Sequence, residues 1–150
     1  MRQCVVLLLA AGLSLAADDR KADPVDKEYA RFEGTWQVVS LDVEGMKVPA
    51  EAIKEARLTI KGKEFTMKDA VATYKGTFVI DPGKKEKTID MTFTDGPEKG
   101  NTSYGIYELD GDDLKICLTL TGKERPTEFA AKPKSGHGFE VLKREKAKKD

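Results

Sequence analysis

Apolar and polar residues alternate along most of the chain between residues 35 and 144, in short runs separated by turn signals. The clearest run is Thr88–Thr94, where Ile89, Met91 and Phe93 alternate with polar residues, as in a strand with one buried face. Asp-Pro-Gly and Asp-Gly-Asp sequences separate neighbouring runs and are typical of turns. Eight strands are predicted in this way, over residues 35–43, 57–60, 64–68, 72–81, 88–94, 102–109, 114–120 and 139–144.

One interval between the first two predicted strands has helical character. The segment Pro49–Ala56 begins with proline, which the first turn of a helix accepts, and continues with good helix formers. The links between strands are of hairpin length, which favours an antiparallel sheet with one face buried. Eight such strands close best into a barrel, because closure removes unpaired edges. The predicted fold class is therefore all-β: a small eight-stranded antiparallel barrel with one short helix between the first two strands.

The first sixteen residues predict a secretory signal peptide. Arg2 precedes an apolar stretch from Val5 to Leu15, and small residues stand before a cleavage point after Ala16. The alternative, a core helix or membrane anchor at the N-terminus, is less favoured because the run shows no amphipathic face and is short for a bilayer span. We therefore expect an exported protein, periplasmic or secreted, with no stable membrane insertion after cleavage.

The remaining chain is expected to form one domain with two polar ends. The predicted division is a signal peptide over 1–16, a flexible leader over 17–30 with a short helix near its end (Asp26–Phe32), a barrel domain over 31–144 and a basic tail over 145–150. The chain has 26 basic and 26 acidic side chains, and loss of Arg2 would leave a net charge of −1. Such a balance argues against nucleic-acid binding.

Few residues point to chemistry. His137 lies between glycines and is interpreted as a turn residue before the last strand, since no second histidine completes a metal site. The acidic sequence at residues 110–113 is shorter than a calcium loop and predicts a hairpin turn. Because no nucleophile, base and acid converge, we expect no catalytic residue, no metal, no cofactor and no enzymatic activity.

Cys117 would be the single cysteine after removal of Cys4, so the mature chain is expected to lack an internal disulfide. It alternates with Leu114, Ile116 and Leu118 and should point away from them. Two interpretations remain. The thiol lies near the outer surface, where it can form an intermolecular disulfide or bind a thiol-reactive ligand, or it is buried under the short helix or the leader as a small hydrophobe.

The first predicted strand opens with Gly34, Thr35 and Trp36. Glycine allows the chain to turn tightly into the strand, and the indole ring can then close that end of the barrel. In a closed barrel the first and last strands are neighbours, and an indole ring favours a cation over its face. We therefore predict that Arg144, or otherwise Lys143, covers Trp36, so that Gly34, Trp36 and Arg144 form the structural end of the barrel.

The Gly34-x-Trp36 triplet, with a basic residue on the last strand, resembles the calycin pattern of lipocalins and fatty-acid-binding proteins. The longer segments GTWQVVSLDVEGMKVP, RLTIKGKEFTMKD and GIYELDGDDLKIC resemble a family of uncharacterised exported lipocalin-like proteins known chiefly from planctomycete bacteria. The resemblance covers roughly residues 31–144. It implies a small antiparallel barrel and export, and it implies no activity, ligand or catalytic residue, because a shared barrel does not define a function.

Two hypotheses for function follow from the predicted barrel. In the first, the barrel binds a small apolar ligand, with the Pro49–Ala56 helix as a lid, since an eight-stranded barrel can hold one small ligand. In the second, the same side chains fill the barrel, and charged loops make it an extracytoplasmic interaction or inhibitor module with an unidentified protein partner. The candidate ligand-binding residues are Phe65, Met67, Tyr74, Phe78, Ile89, Met91, Phe93, Tyr104, Ile106, Leu114, Ile116 and Leu118.

Overall fold

The computed structural model describes residues 23–147. The predicted signal peptide, leader residues 17–22 and tail residues 148–150 lie outside this range. Two helices and nine strands are found within it: α1 (Pro24–Phe32), β1 (Gly34–Val43), β2 (Met46–Lys47), α2 (Ala50–Ile53), β3 (Arg57–Lys61), β4 (Glu64–Lys68), β5 (Thr73–Asp81), β6 (Thr88–Asp95), β7 (Thr102–Asp110), β8 (Asp113–Thr119) and β9 (His137–Arg144).

The strands close into an eight-stranded antiparallel barrel, as predicted. Each strand from β3 to β8 pairs with the next, β1 pairs with β3, and β9 pairs back with β1. The two-residue strand β2 pairs only with the end of β1 and stands outside the ring. The barrel has a closed end, where β1 begins, and an open end, where β1 finishes.

Helix α2 lies between the first two barrel strands, as expected, but it is shorter than the predicted segment. It has four residues, and Pro49 is its N-cap instead of its first helical residue. Ile53 and Ala56 are buried. Burial of these two side chains against the barrel, more than helix propensity, accounts for its position, because so short a helix is not stable by itself.

Helix α1 covers the closed end of the barrel. The side chain of Asp23 caps it by accepting a hydrogen bond from the backbone N–H of Val25 at 2.9 Å. Tyr29 and Phe32 are buried, and the Tyr29 hydroxyl donates to the carbonyl oxygen of Phe78 at 3.3 Å. The structure therefore differs from the expected flexible leader over 17–30: residues 24–30 belong to the packed domain, because their apolar face plugs the barrel.

A buried carboxylate fixes α1 to the barrel wall. Glu28 is 7% exposed and accepts hydrogen bonds from Arg31 at 2.7 Å, Tyr107 at 3.0 Å and Lys87 at 3.2 Å. Burial by itself would raise the pKa of Glu28, but the bonds from Lys87, Arg31 and Tyr107 outweigh burial and hold its pKa below the ordinary value. Burial and the Glu28 charge raise the pKa of Tyr107, which therefore stays a hydrogen-bond donor.

Trp36 lies under the end of α1 and is fully buried. Its indole Nε1 donates to the carbonyl oxygen of Phe32 at 2.8 Å, and the Arg144 guanidinium lies over its ring, as the adjacent first and last strands predict. Gly34 has a φ of +123°, and a Cβ there would stand 3.1 Å from Nη1 of Arg144. Glycine is needed at this position because the backbone is in a region that L side chains rarely adopt.

A long segment between β8 and β9 covers part of the outer wall. Arg125 in this segment donates to the carbonyl oxygen of Gly105 at 2.7 Å and pairs with Asp90 at 2.7 Å. Cys117 is fully buried beneath the segment, with its Sγ 3.6 Å from the carbonyl oxygen of Ala130. Burial raises the pKa of the Cys117 thiol. The cysteine is thus buried, but among the described residues its cover is the segment at 120–136, and neither α2 nor leader residues 23–30.

Candidate ligand cavity

The two halves of the barrel differ in how they are filled. Near the closed end, Phe32, Trp36, Phe78 and Tyr107 belong to one continuous apolar core. Near the open end the same interior holds a cavity of about 420 Å³, which is within the size range of small-molecule sites. We call this space the open-end cavity. Its lining residues are Leu41, Val43, Met67, Asp69, Tyr74, Phe93, Glu98, Ser103, Leu118, Leu120, Gly138 and Glu140.

A bulge in β1 decides which side chains of that strand face the cavity. Val38 pairs with Leu142 on β9, but the next pair is Ser40 with Val141, so one extra residue lies at Val39. Side chains alternate along a strand, and the extra residue switches the inward positions from even to odd numbers. Val38 therefore faces the core, while Leu41 and Val43 line the cavity instead of Ser40 and Asp42.

Aromatic rings form one side of the cavity. The ring of Phe93 makes edge-to-face contacts with Phe65, at a centroid distance of 5.4 Å, and with Tyr74, at 6.2 Å. Gly76 leaves room for this group, since a Cβ at that position would lie 2.8 Å from the Phe65 ring and 2.0 Å from the Thr92 carbonyl oxygen. The arrangement gives the cavity a rigid apolar wall.

A smaller cavity of about 190 Å³ lies beside the first, between the barrel and α2. Ala52 and Ile53 of α2, and Ala56 just after the helix, form one side of it. The two cavities share four lining residues, Leu41, Met67, Asp69 and Glu140. The two cavities are therefore neighbours separated by these four side chains.

Glu140 points into both cavities from the middle of β9. Its cross-strand partners are Leu41 on β1 and Ile116 on β8, both of which face the interior. No hydrogen bond or ion pair joins its carboxylate to another side chain within residues 23–147, and burial among these apolar groups raises its pKa to about 7. Glu140 is half-buried, so it is a carboxylate with free acceptor atoms among mostly apolar side chains, within reach of solvent at the open end.

Two further carboxylates line the cavity nearer its mouth. Asp69 follows β4, and Glu98 lies in the loop between β6 and β7. Burial raises the pKa of the Tyr74 phenol, and the negative charges of Asp69 and Glu98 raise it further. The mouth of the cavity is thus electronegative.

Exposed apolar side chains surround the open end. Met46 in the β1–β2 hairpin is 71% exposed, Val71 in the β4–β5 turn is 93% exposed, and Leu120 after β8 is 51% exposed. Leu120 lines the open-end cavity, and Val71 lines the smaller one. An apolar rim of this kind favours entry of an apolar molecule.

A third depression, of about 410 Å³, lies on the outer side of the open end. Its lining is mostly polar and includes Asn101, Thr102, Thr119 and Lys123. Thr119 already accepts a hydrogen bond from the backbone N–H of Tyr104 at 2.9 Å. This depression lacks the apolar wall of the open-end cavity, so we do not assign a ligand to it.

The predicted ligand-binding residues are divided among three places. Met67, Tyr74, Phe93 and Leu118 line the open-end cavity. Phe65, Phe78, Ile89, Met91, Leu114 and Ile116 are part of the filled core. Tyr104 and Ile106 lie on the outer wall, which corrects their expected position: Arg125 stacks on Tyr104, and Ile106 pairs with Cys117 beneath the covering segment. Both faces of β7 carry apolar residues, because one face packs in the barrel interior and the other lies under the segment at 120–136.

Sequence reasoning missed the residues that give the cavity its chemistry. Leu41 and Val43 were included in a predicted strand, but their inward orientation depends on the bulge. Glu140 alternates with Gly138 and Leu142, and only Leu142 carries an inward apolar signal. A charged residue within a short strand is ordinarily placed on the solvent side, so the pattern gave no indication of an inward carboxylate.

The other candidate motifs have structural roles. The ring Nε2 of His137 is 3.0 Å from the carbonyl oxygen of Glu124, which ties the covering segment to the start of β9. In the acidic turn between β7 and β8, Asp112 forms an ion pair with Arg144 at 3.0 Å and Asp113 forms one with Lys143 at 3.2 Å.

Across residues 23–147 no group of three acidic, histidine or cysteine side chains could hold a metal ion. Neither helix of the same range is long and apolar enough to cross a bilayer.

Comparison of the chain with protein-family models, with curated proteins and with solved structures found no match. The assignment of a function therefore depends on the geometry of the open-end cavity.

Proposed function

We propose that the protein binds a small apolar ligand in the open-end cavity. The observation that carries this proposal is the half-filled barrel: the core is continuous at the closed end, whereas a cavity of about 420 Å³ at the open end is lined by Leu41, Met67, Phe93 and Leu118. Most of the cavity wall is apolar, and the replacement of water along that wall by an apolar molecule is favourable.

The closed end supports a binding role because it makes the barrel rigid without using the cavity. Helix α1, Trp36 and Arg144 are packed together at one end, so the other end can stay open while the fold remains stable. A preformed site of this kind binds with little loss of conformational freedom. The filled-barrel alternative requires apolar side chains in the space that the cavity occupies.

The predicted signal peptide suggests where in the cell the protein would bind its ligand. If the chain is exported, the barrel binds its ligand in the periplasm or outside the cell, as the resemblance to exported lipocalin-like proteins implies. The experiment is cleavage-site mapping of protein recovered from the producing cell, with Ala17 expected as the first residue of the exported form. Recovery of the uncleaved chain from the cytoplasm would overturn this part of the proposal.

A fluorescence titration with the neutral dye N-phenylnaphthylamine tests binding. We expect the dye to bind the wild-type barrel, and we expect Leu118→Trp to weaken binding at least about ten-fold, because the larger ring would occupy the cavity. Val79→Trp is the matched control, since Val79 on β5 faces solvent and is 65% exposed. Absence of dye binding to the wild type, or equal binding by folded Leu118→Trp, would overturn the proposal.

A further inference from the structure

The charged groups that line the open-end cavity all have the same sign. They are Asp69, Glu98 and Glu140, and no lysine, arginine or histidine is among the residues that line this cavity or the smaller one beside it. A ligand with a carboxylate would meet three negative groups and no cation. A ligand with a positive charge would be favoured on the same grounds.

The three carboxylates differ in how many of their acceptor atoms are already used. Asp69 accepts hydrogen bonds from the backbone N–H groups of Val71 at 2.8 Å and Ala72 at 2.7 Å, and Glu98 accepts one from Asn101 at 2.8 Å. These two groups stabilise the loops at the mouth. Glu140 has no such partner within residues 23–147 and lies deeper in the barrel.

The position of Glu140 relative to the aromatic wall suits a ligand with one cationic end. In the ring of eight strands, β9 and β5 are four strands apart, so Glu140 and Tyr74 stand on opposite sides of the interior. A chain between them would contact Phe93, Met67 and Leu118 along its length. Glu140 is half-buried and has no side-chain partner, so an ammonium group there would take the place of water and form a charge-assisted hydrogen bond beside the apolar wall.

We propose that the ligand is a lipophilic amine, whose ammonium group binds Glu140 while its hydrocarbon part fills the open-end cavity. This inference rests on the proposed binding function and specifies its ligand class. Asp69 and Glu98 attract the cation to the mouth, and Glu140 orients it inside. The same three groups disfavour fatty acids, because the carboxylate of a fatty acid would meet no positive charge in the cavity.

Displacement of N-phenylnaphthylamine by three compounds of equal chain length tests the inference at pH 8. Octylamine is a cation at this pH, octanol is neutral and octanoate is an anion. We expect octylamine to displace the dye from the wild type at a concentration at least about ten-fold lower than octanol, because only the amine forms a charge-assisted bond. Octanoate should be the weakest of the three.

The variant Glu140→Gln tests whether Glu140 causes the preference for octylamine over octanol. In this variant octylamine and octanol should displace the dye at concentrations within about two-fold of each other, because the charge-assisted bond is lost. Glu64→Gln is the matched control: it removes the same charge from the exposed start of β4, at the closed end of the barrel. It should leave the order of the three compounds unchanged.

The outcomes separate the two proposals. Octanoate binding as tightly as octylamine, or an amine preference that persists in Glu140→Gln, would overturn the amine inference while ligand binding in the cavity stands. Failure of the dye and of all three compounds to bind the wild type would overturn the binding function itself. If Glu140→Gln does not fold, the order of the three compounds on the wild type still decides the inference.

Discussion

The guanidinium carbon of Arg144 lies 4.1 Å from the centre of the Trp36 ring. The same guanidinium donates from Nη2 to the carbonyl oxygen of Arg31 at 2.6 Å and from Nη1 to that of Glu33, while Nε bonds Asp112 at 3.0 Å. One side chain on the last strand thus connects the first strand, the end of α1 and the β7–β8 turn. The closed end is held together by this residue.

Replacement of Arg144 by alanine should therefore destabilise the fold. The loss of a cation–π contact and of charge-assisted bonds to two carbonyl groups predicts a decrease in the free energy of unfolding of about 2 to 3 kcal/mol. Lys143→Ala is the control, because its side chain is 65% exposed and forms one surface ion pair, so a change of less than about 1 kcal/mol is expected. Urea unfolding measures both, and equal effects would contradict the assigned role.

Glu28 should make stability depend on acid pH. Since its pKa is lowered in the folded state, its contribution is present above its ordinary pKa of 4.5 and is lost as the pH falls through the lower folded value. Glu28→Gln should cost about 2 kcal/mol at pH 7, because it weakens the bonds from Arg31, Lys87 and Tyr107. The difference from the wild type should shrink below pH 4.5, as measured by urea unfolding across this range.

Glu51→Gln is the corresponding control. Its carboxylate pairs with Lys54 on the surface and is 85% exposed, so the substitution should change the free energy of unfolding by less than about 0.5 kcal/mol. A constant difference between wild type and Glu28→Gln at every pH would show that folding does not lower the pKa of Glu28.

Glu140 should have the opposite effect on stability. Its pKa is raised from 4.5 to about 7 on folding, so the folded state holds the proton more tightly than the unfolded state does. The wild type should lose stability as the pH rises from 4.5 towards 7, and the loss should level off above that value. Glu140→Gln removes the ionising group and should be more stable than the wild type at pH 8, by about 3 kcal/mol at most.

No cationic side chain lines the cavity beside Glu140. Asp69 after β4, Tyr74 on β5 and Glu98 in the β6–β7 loop line the same cavity, and each is neutral or negative. A wild type as stable as Glu140→Gln at both pH 4 and pH 8 in urea would contradict an inward, unpaired carboxylate. Addition of a saturating amine should reverse the loss, since ligand that binds only the folded state stabilises it.

The Cys117 thiol should be protected in the folded protein. The segment over residues 120–136 covers it, and burial raises its pKa, so little reactive thiolate is present. Modification by iodoacetamide in native buffer should be at least about a hundred-fold slower than in denaturant. Arg125→Ala removes the bonds to Gly105 and Asp90 and should accelerate native modification, whereas the exposed substitution Lys123→Ala should not. Equal modification rates for the native and the unfolded wild type would show that the segment does not protect Cys117.

The repeated alternation of apolar residues was sufficient to predict the barrel, because each hairpin is a local feature of the chain. Ile89, Met91 and Phe93 face inward as their period indicates, and Trp36 and Arg144 meet because closure makes their strands neighbours. Residues 24–30 were harder to interpret. Their helix is polar on most sides, and only the barrel end against which it packs explains the burial of Glu28 and Tyr29.

The alternation of side chains along a strand defines two faces, but it does not show which face points into the barrel. In β7 both faces carry apolar residues, and only the segment at 120–136 shows that Tyr104 and Ile106 belong to the outer wall. In β1 the bulge at Val39 turns Leu41 towards the interior. In β9, Glu140 lies opposite Leu41 and Ile116, and its side chain therefore faces the interior with theirs. The sequence by itself determined the strands, the turns and the closure of the barrel, since these depend on local period and turn chemistry. Only the tertiary structure decided that the barrel is half filled and that its cavity holds an unpaired acid, because both depend on which strands face each other across the interior.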